Sequence, residues 1–304
     1  MRTHAAGATP SIPGFETNEV DTGETTIFVA SGGSGPPVLL LDGFPETHLM
    51  WRGVGPILGR QFTVVCADLR GYGRSGCPPS DRDHGPYAKR AMARDMVSVM
   101  EGLGFRRFSV VGHDRGARVA YRLALDHPDR IERLAVLDIV PINATWERAD
   151  DRFALGYWPW SLLAQPEPLP ERILAQSAEA IVDDALGNWG SSASAFPAEV
   201  RAAYIDALAD PDHAHAICEE YRAAATIDRA HDAADAGASR GIGAPVLAVW
   251  TEGGPLATWY TDPDPLGIWR SFAADVRGRT IDAGHFFPEE APEQTAEILG
   301  EFLT

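Results

Sequence analysis

The chain has 304 residues, 45% hydrophobic and 23% charged, which suits one large core with an inserted smaller unit. A formal net charge of −17 argues against nucleic acid and anionic membranes as partners, whereas a small anion needs only a local positive site. Cys66, Cys77 and Cys218 match no metal or disulfide spacing, residues 1–14 hold no apolar core of signal-peptide length, and no apolar run reaches membrane-spanning length. The expectation is a cytoplasmic protein with free thiols. Lys89 is the only lysine beside abundant arginine and reads as a genomic bias.

Along the chain, Thr25–Ala30 reads as an edge strand. Pro37–Leu41 and Phe62–Ala67 are continuous apolar runs closed by turn residues, the pattern of strands buried on both faces of a parallel sheet. Lys89–Leu103 has helical spacing, with Met92, Met96, Val99, Met100 and Leu103 on one face. Phe108–Val111 reads as a strand, Arg115–Asp126 as a helix and Leu134–Leu137 as a strand ending at Asp138. From about 141 to 236 the pattern is helical, with Pro166, Pro168 and Pro170 as a stiff connector. Strands resume at Pro245–Trp250 and Val276–Ile281, with a helix near Pro265–Ala274 between them and a last helix over Pro292–Phe302. This order predicts an α/β-hydrolase fold: a mostly parallel sheet with helices on both faces (1–140 and 237–304) and an inserted helical cap (141–236).

Gly112-His113-Asp114-Arg115-Gly116 lies between a strand and a helix and has the small–x–nucleophile–x–small form of a nucleophile elbow. An aspartate in that place attacks an ester poorly, since it would form an anhydride, but it can displace a leaving group from an sp³ carbon and become an ester itself. Carbon–halogen or epoxide opening is the chemistry that fits. A helix N-cap is the plainer role for Asp114. Hydrolysis of the ester needs a base, and His285 follows the last strand, in the chain order that this fold uses. Asp138 is the favoured acid to orient it, with Glu252 second.

Arg115 and Arg118 share one face of the helix's first turn, where the macrodipole disfavours cations. Two guanidiniums beside a carboxylate suggest an anionic substrate held bidentately. Arg122 continues the row and reads as structural.

The residues quoted resemble the fluoroacetate (haloacetate) dehalogenases over nearly the whole chain. The resemblance is strongest at Val111–Arg118, Leu137–Pro141, Trp160–Pro170, Ile217–Ala223 and Gly284–Pro288. It implies Asp114 as nucleophile, His285 as base and Asp138 as its partner. It also implies Arg115 and Arg118 as the carboxylate clamp and Trp160 and Tyr221 as halide donors, in a cap segment that reads Tyr157-Trp158-Pro159-Trp160. Tyr157 and Trp158 join the expected substrate contacts. The backbone N–H groups of Phe44 and Arg115 would form the oxyanion hole. No metal or organic cofactor is implied, and a homodimer is typical of such proteins.

Two positions depart from the family's pattern. Asp42 stands where the family has a histidine, and as an anion it would raise the pKa of Asp114 or pair with an arginine such as Arg70. Pro159 replaces a third halide donor, and one lost hydrogen bond to a developing anion costs roughly 3 kcal/mol. The expectation is weakened handling of fluoride. The rival reading is an epoxide hydrolase with the same Asp–His–acid set, with Tyr221, Tyr157 or Tyr204 as proton donor. A non-catalytic binding protein is a further alternative, against which the intact Asp114, Asp138 and His285 argue.

Overall fold

The computed structural model describes residues 10–304. The first nine residues, on which the expectations of no leader and of the start of the core segment partly fall, lie outside the described residues.

Eight strands form one sheet: β1 (Glu16–Asp21), β2 (Thr26–Gly33), β3 (Pro37–Leu41), β4 (Thr63–Ala67), β5 (Phe108–His113), β6 (Ile131–Leu137), β7 (Val246–Thr251) and β8 (Val276–Ile281). Their spatial order is β1-β2-β4-β3-β5-β6-β7-β8. β2 pairs antiparallel with β1 and β4, and all other pairs are parallel. β2 is thus not the edge strand expected at Thr25–Ala30. The edge is β1, which the sequence reading missed because its residues are almost all exposed and show no apolar alternation.

Alternation along the central strands divides the core. Leu39, Leu41, Val65, Ala67, Val110 and Val136 point to one face and pack with Met92, Met96, Ala120 and Leu123 of the helices Lys89–Gly102 and Asp114–Asp126. Val38, Leu40, Val64, Cys66, Val111 and Ala135 point to the other face and pack with Val54, Leu58, Leu299 and Phe302. Both faces are covered, so the central strands are apolar on both sides, as their sequences require.

Seven α-helices stand between β6 and β7: Ile142–Glu147, Asp151–Gly156, Trp158–Leu162, Leu169–Asn188, Ala198–Ala209, Pro211–Ala225 and Ile227–Gly237. Arg122 fixes the last of them to the sheet side. Its Nη2 and Nη1 donate to Asp232 Oδ1 (2.8 Å) and Asp235 Oδ2 (2.5 Å), and Tyr121 Oη donates to Asp232 Oδ2 (3.0 Å). Buried ion pairs of this kind set where a helix docks more than they add net stability. The helix expected near Pro265–Ala274 spans only Pro265–Trp269. Among the described residues no helix is long and apolar enough to cross a membrane.

Candidate active site

The turn from β5 into the helix Asp114–Asp126 brings backbone very close to backbone. A Cβ on Gly112 would lie 2.5 Å from Ala117 N and Cα, and one on Gly116 would lie 2.3 Å from Asp42 O. Both positions therefore exclude every side chain. Asp114 itself has φ +43°, a left-handed conformation that costs a non-glycine residue about 1–3 kcal/mol and is held by its surroundings. The strained turn lifts the carboxylate off the helix axis toward the β3 loop, where Phe44 N donates to Asp114 Oδ1 (3.0 Å). Burial pushes the Asp114 carboxyl up, but the charges of Arg115, His285, Arg118 and His113 outweigh it and hold the pKa below its ordinary value. The carboxylate is thus ionised without an ion-pair partner of its own among the described residues.

His285 meets Asp138: Nδ1 and Asp138 Oδ2 are 2.6 Å apart. Asp138 also has a positive φ, +53°, and its Oδ1 accepts from Thr251 N at 3.3 Å, so the ends of β6 and β7 fix its direction. Burial pushes His285 down, but the hydrogen bond and charge of Asp138, then Asp114 and Glu46, raise its pKa above 6.5. Glu252, the second candidate for the acid, accepts from Thr280 Oγ1 (3.0 Å) at the exposed surface instead.

Asp42 follows neither expected course. Arg70 spends its guanidinium on Asp95 (2.6 and 2.7 Å) and Glu24 (3.0 Å), and both carboxyl oxygens of Asp42 are buried without a partner among the described residues. Burial, followed by the charges of Asp68 and Glu46, pushes its pKa well up. Asp114 lies below its ordinary pKa, the opposite of the rise expected from an anion at position 42.

The arginine pair needs a correction too. Arg115 does not offer its fork: Nε donates to Glu220 Oε2 and Oε1 (2.8 and 3.0 Å) and Nη2 to Glu220 Oε1 (2.6 Å). Only Nη1 is left, buried and unpartnered among the described residues. Arg118 Nη1 donates to Val140 O (2.8 Å), which leaves its Nε buried and unpartnered. Glu220 was missed because a glutamate beside Glu219 in an alanine-rich helix reads as a solvated face, yet it is fully buried. Nor is Lys89 a mere compositional residue. It is buried, its Nζ contacts Glu220 Oε1, and it lies 3.6 Å from Asp228 Oδ2.

Aromatic side chains from the inserted helices close over this group. Trp160 lies 4.3 Å from the Arg118 guanidinium and 4.8 Å from that of Arg115, and the Tyr221 ring lies 4.0 Å from Arg115. Phe44 meets the Tyr221 ring edge-on at 5.8 Å. Trp146, Trp158 and Trp269 spend their indole N–H groups on Ala224 O, Asp184 and Ile139 O, whereas that of Trp160 makes no such bond among the described residues. Trp158 is thereby turned to Asp184 and is not among the groups gathered around Asp114. Tyr204 donates to Glu289 Oε2 (3.1 Å), which removes it as a proton donor to a substrate. Tyr157 stays close, packed against Phe153 and Trp259. Burial pushes the Tyr221 hydroxyl up, so it remains a protonated donor. Trp189, which nothing in the sequence marked, has its ring 5.8 Å from His285, and its carbonyl accepts from His285 N (3.1 Å).

Residues 36–292 match the profile of the alpha/beta hydrolase fold. The chain is 42% identical to a fluoroacetate dehalogenase from Burkholderia sp over 96% of this chain and 94% of that protein. It is 30% identical to a soluble epoxide hydrolase from Corynebacterium sp. (strain C12), over 90% of this chain and 92% of that one. The chain belongs to the haloacetate dehalogenase family of the α/β hydrolases. A crystal structure from Nostoc sp PCC 7120, described as an α/β hydrolase, overlays with a TM-score of 0.92 at 46% identity, covering 97% of this chain and 99% of that one. In this hydrolase, Asp114, His285 and Asp138 come from the ends of β5, β8 and β6, where an open parallel sheet presents its ligand site.

Proposed function

We propose that the protein hydrolyses short 2-haloacids, haloacetate to glycolate plus halide, through an ester of Asp114. The observation that carries this reading is the pair of buried guanidinium nitrogens without a partner among the described residues, Arg115 Nη1 and Arg118 Nε, beside an ionised Asp114. Two unsatisfied cationic donors in a desolvated site call for an anionic substrate. A neutral epoxide would leave both unmet, which disfavours the epoxide hydrolase reading.

In this mechanism residues 141–236 act as a cap over the core segments 1–140 and 237–304. Asp114 Oδ1 already accepts from Phe44 N, so Oδ2 attacks the halogen-bearing carbon. The carbon–halogen bond breaks and the halide leaves with the electron pair toward the Trp160 N–H and Tyr221 O–H. His285, steered by Asp138, takes a proton from water, and the hydroxide adds to the Asp114 carbonyl carbon. The Phe44 and Arg115 amides receive the oxyanion. Collapse breaks the ester C–O bond, the alkoxide takes the proton back from His285 and leaves as glycolate, and the Asp114 carboxylic acid then loses water's second proton to solvent, which restores the carboxylate.

Halide release from bromo-, chloro- and fluoroacetate, followed by ion chromatography with Asp114→Asn as control, tests the reading. Release that the control lacks supports it. No release from any of the three sinks it.

A further inference from the structure

The clamp described above rests on a buried array that the reaction itself does not use. Arg115 is a core residue, on the helix after β5, whereas Glu220 belongs to the inserted helix Pro211–Ala225. Lys89 opens the core helix Lys89–Gly102, and Asp228 belongs to the inserted helix Ile227–Gly237. Glu220 therefore accepts from two core cations at once, and Tyr72 Oη reaches its other oxygen at 3.5 Å. Lys89 is anchored in turn, since its own backbone N donates to Asp228 Oδ1 (2.9 Å). Burial and the Arg115 charge push the Lys89 amine below its ordinary range, but in either protonation state it still donates to Glu220.

We infer that Glu220, locked by Lys89, is a positioning residue of the carboxylate clamp: it takes the Nε–Nη2 edge of Arg115 and leaves Nη1 as the only corner that can meet the substrate. The inference rests on the haloacid reading. A guanidinium is a rigid fork, so fixing one edge fixes where the remaining N–H points. With Nη1 as the single contact from Arg115, and Arg118 held by its Nη1 on Val140 O, the carboxylate has a defined orientation, and the adjacent carbon has a defined line to Asp114. An Arg115 free to turn would present its edge instead and bind the carboxylate in another pose. Charge alone predicts a different outcome: deleting an anion beside two guanidiniums would tighten anion binding and leave turnover alone.

The test compares Glu220→Gln, Lys89→Met, Lys89→Arg and, as a control, Asp235→Asn. Three quantities are measured: kcat and KM for chloride release from chloroacetate, glycolate affinity by tryptophan fluorescence, and Tm. A misplacement of about 1 Å costs on the order of a hundredfold in rate, so Glu220→Gln is expected to lose roughly ten- to a hundredfold in kcat per folded molecule, with a smaller change in glycolate affinity. Lys89→Met should follow in the same direction and Lys89→Arg should restore most of the rate. Asp235→Asn should lower Tm while kcat stays within about threefold, because its partner across the same boundary is Arg122 rather than Lys89 or Arg115. Should Glu220→Gln fail to fold, the two Lys89 variants carry the same comparison.

A kcat for Glu220→Gln within about threefold of the parent, with or without a fall in Tm, overturns the inference, as does an Asp235→Asn loss equal to that of Glu220→Gln. If the parent releases no halide from any haloacetate, the reaction proposal fails by itself. The positioning is then read from the Arg115 Nε–Hε resonance: an unchanged shift in Glu220→Gln overturns it, and loss of the carboxylate-bonded shift supports it.

Discussion

The closest test of the site's geometry is Gly43→Ala. A Cβ at Gly43 would lie 2.6 Å from Asp114 Cβ, 2.8 Å from Asp114 Oδ1 and 2.9 Å from Arg115 N. Carbon atoms rest at about 3.5 Å or more, so the methyl group must drive the β3 loop and the elbow apart by close to 1 Å. Gly43 has an ordinary negative φ, so alanine brings no backbone strain of its own, and the whole effect falls on this contact. The shift breaks the Phe44 N to Asp114 Oδ1 bond and moves the carboxylate off its line of attack. A displacement of this size costs on the order of a hundredfold in rate. The assay is bromide release from bromoacetate under saturating substrate, with circular dichroism and Tm to count folded molecules. If Gly43→Ala keeps more than about a third of the parent kcat while folded, the contact is not what holds Asp114, and the elbow argument fails.

Trp160→Phe keeps a ring over both arginines but deletes the indole N–H, and losing one donor to a developing anion is expected to cost about 3 kcal/mol, roughly a hundredfold in halide-release kcat. Because Pro159 supplies neither a side-chain donor nor an N–H, the three haloacetates should rank bromo, chloro, fluoro in kcat, and a faster fluoroacetate would refute that. His285 must be neutral to activate water, so kcat should climb as pH rises through a value above 6.5. Asp138→Asn removes the largest influence raising that pKa, so the acid limb of the residual rate should move to lower pH while the rate itself falls by up to about 10⁴-fold. The same pair contributes folding stability below the unfolded-state pKa of His285, and that contribution disappears as pH rises through the raised folded value, a window that urea titrations across pH would reveal.

Much of the architecture is legible in the sequence. Apolar runs of strand length appear only where both faces of a sheet are covered, and so β3 to β7 were readable. β1 was not, since an exposed strand has no pattern of burial to leave in its residues. The elbow was readable because steric crowding at Gly112 and Gly116 admits only glycine, a demand that must be written locally. Asp114, His285 and Asp138 follow strands in a set chain order, and their roles travel with that order.

What tertiary structure alone decided are the partnerships between distant segments. Asp42 is buried with neither oxygen partnered among the described residues, because Arg70 turns to Asp95 instead. Trp158 and Tyr204 are spent on Asp184 and Glu289, while Trp160 and Tyr221 are not, although all four are equivalent as letters. Glu220, Lys89 and Trp189 carried no local signal. A charge or a ring acquires its part only from what lies across the interface between the inserted helices and the sheet, where Glu220 meets residues 105 and 131 positions away. Local sequence encodes the conformation a turn must adopt; the desolvation and pairing of a buried charge are properties of the packed whole.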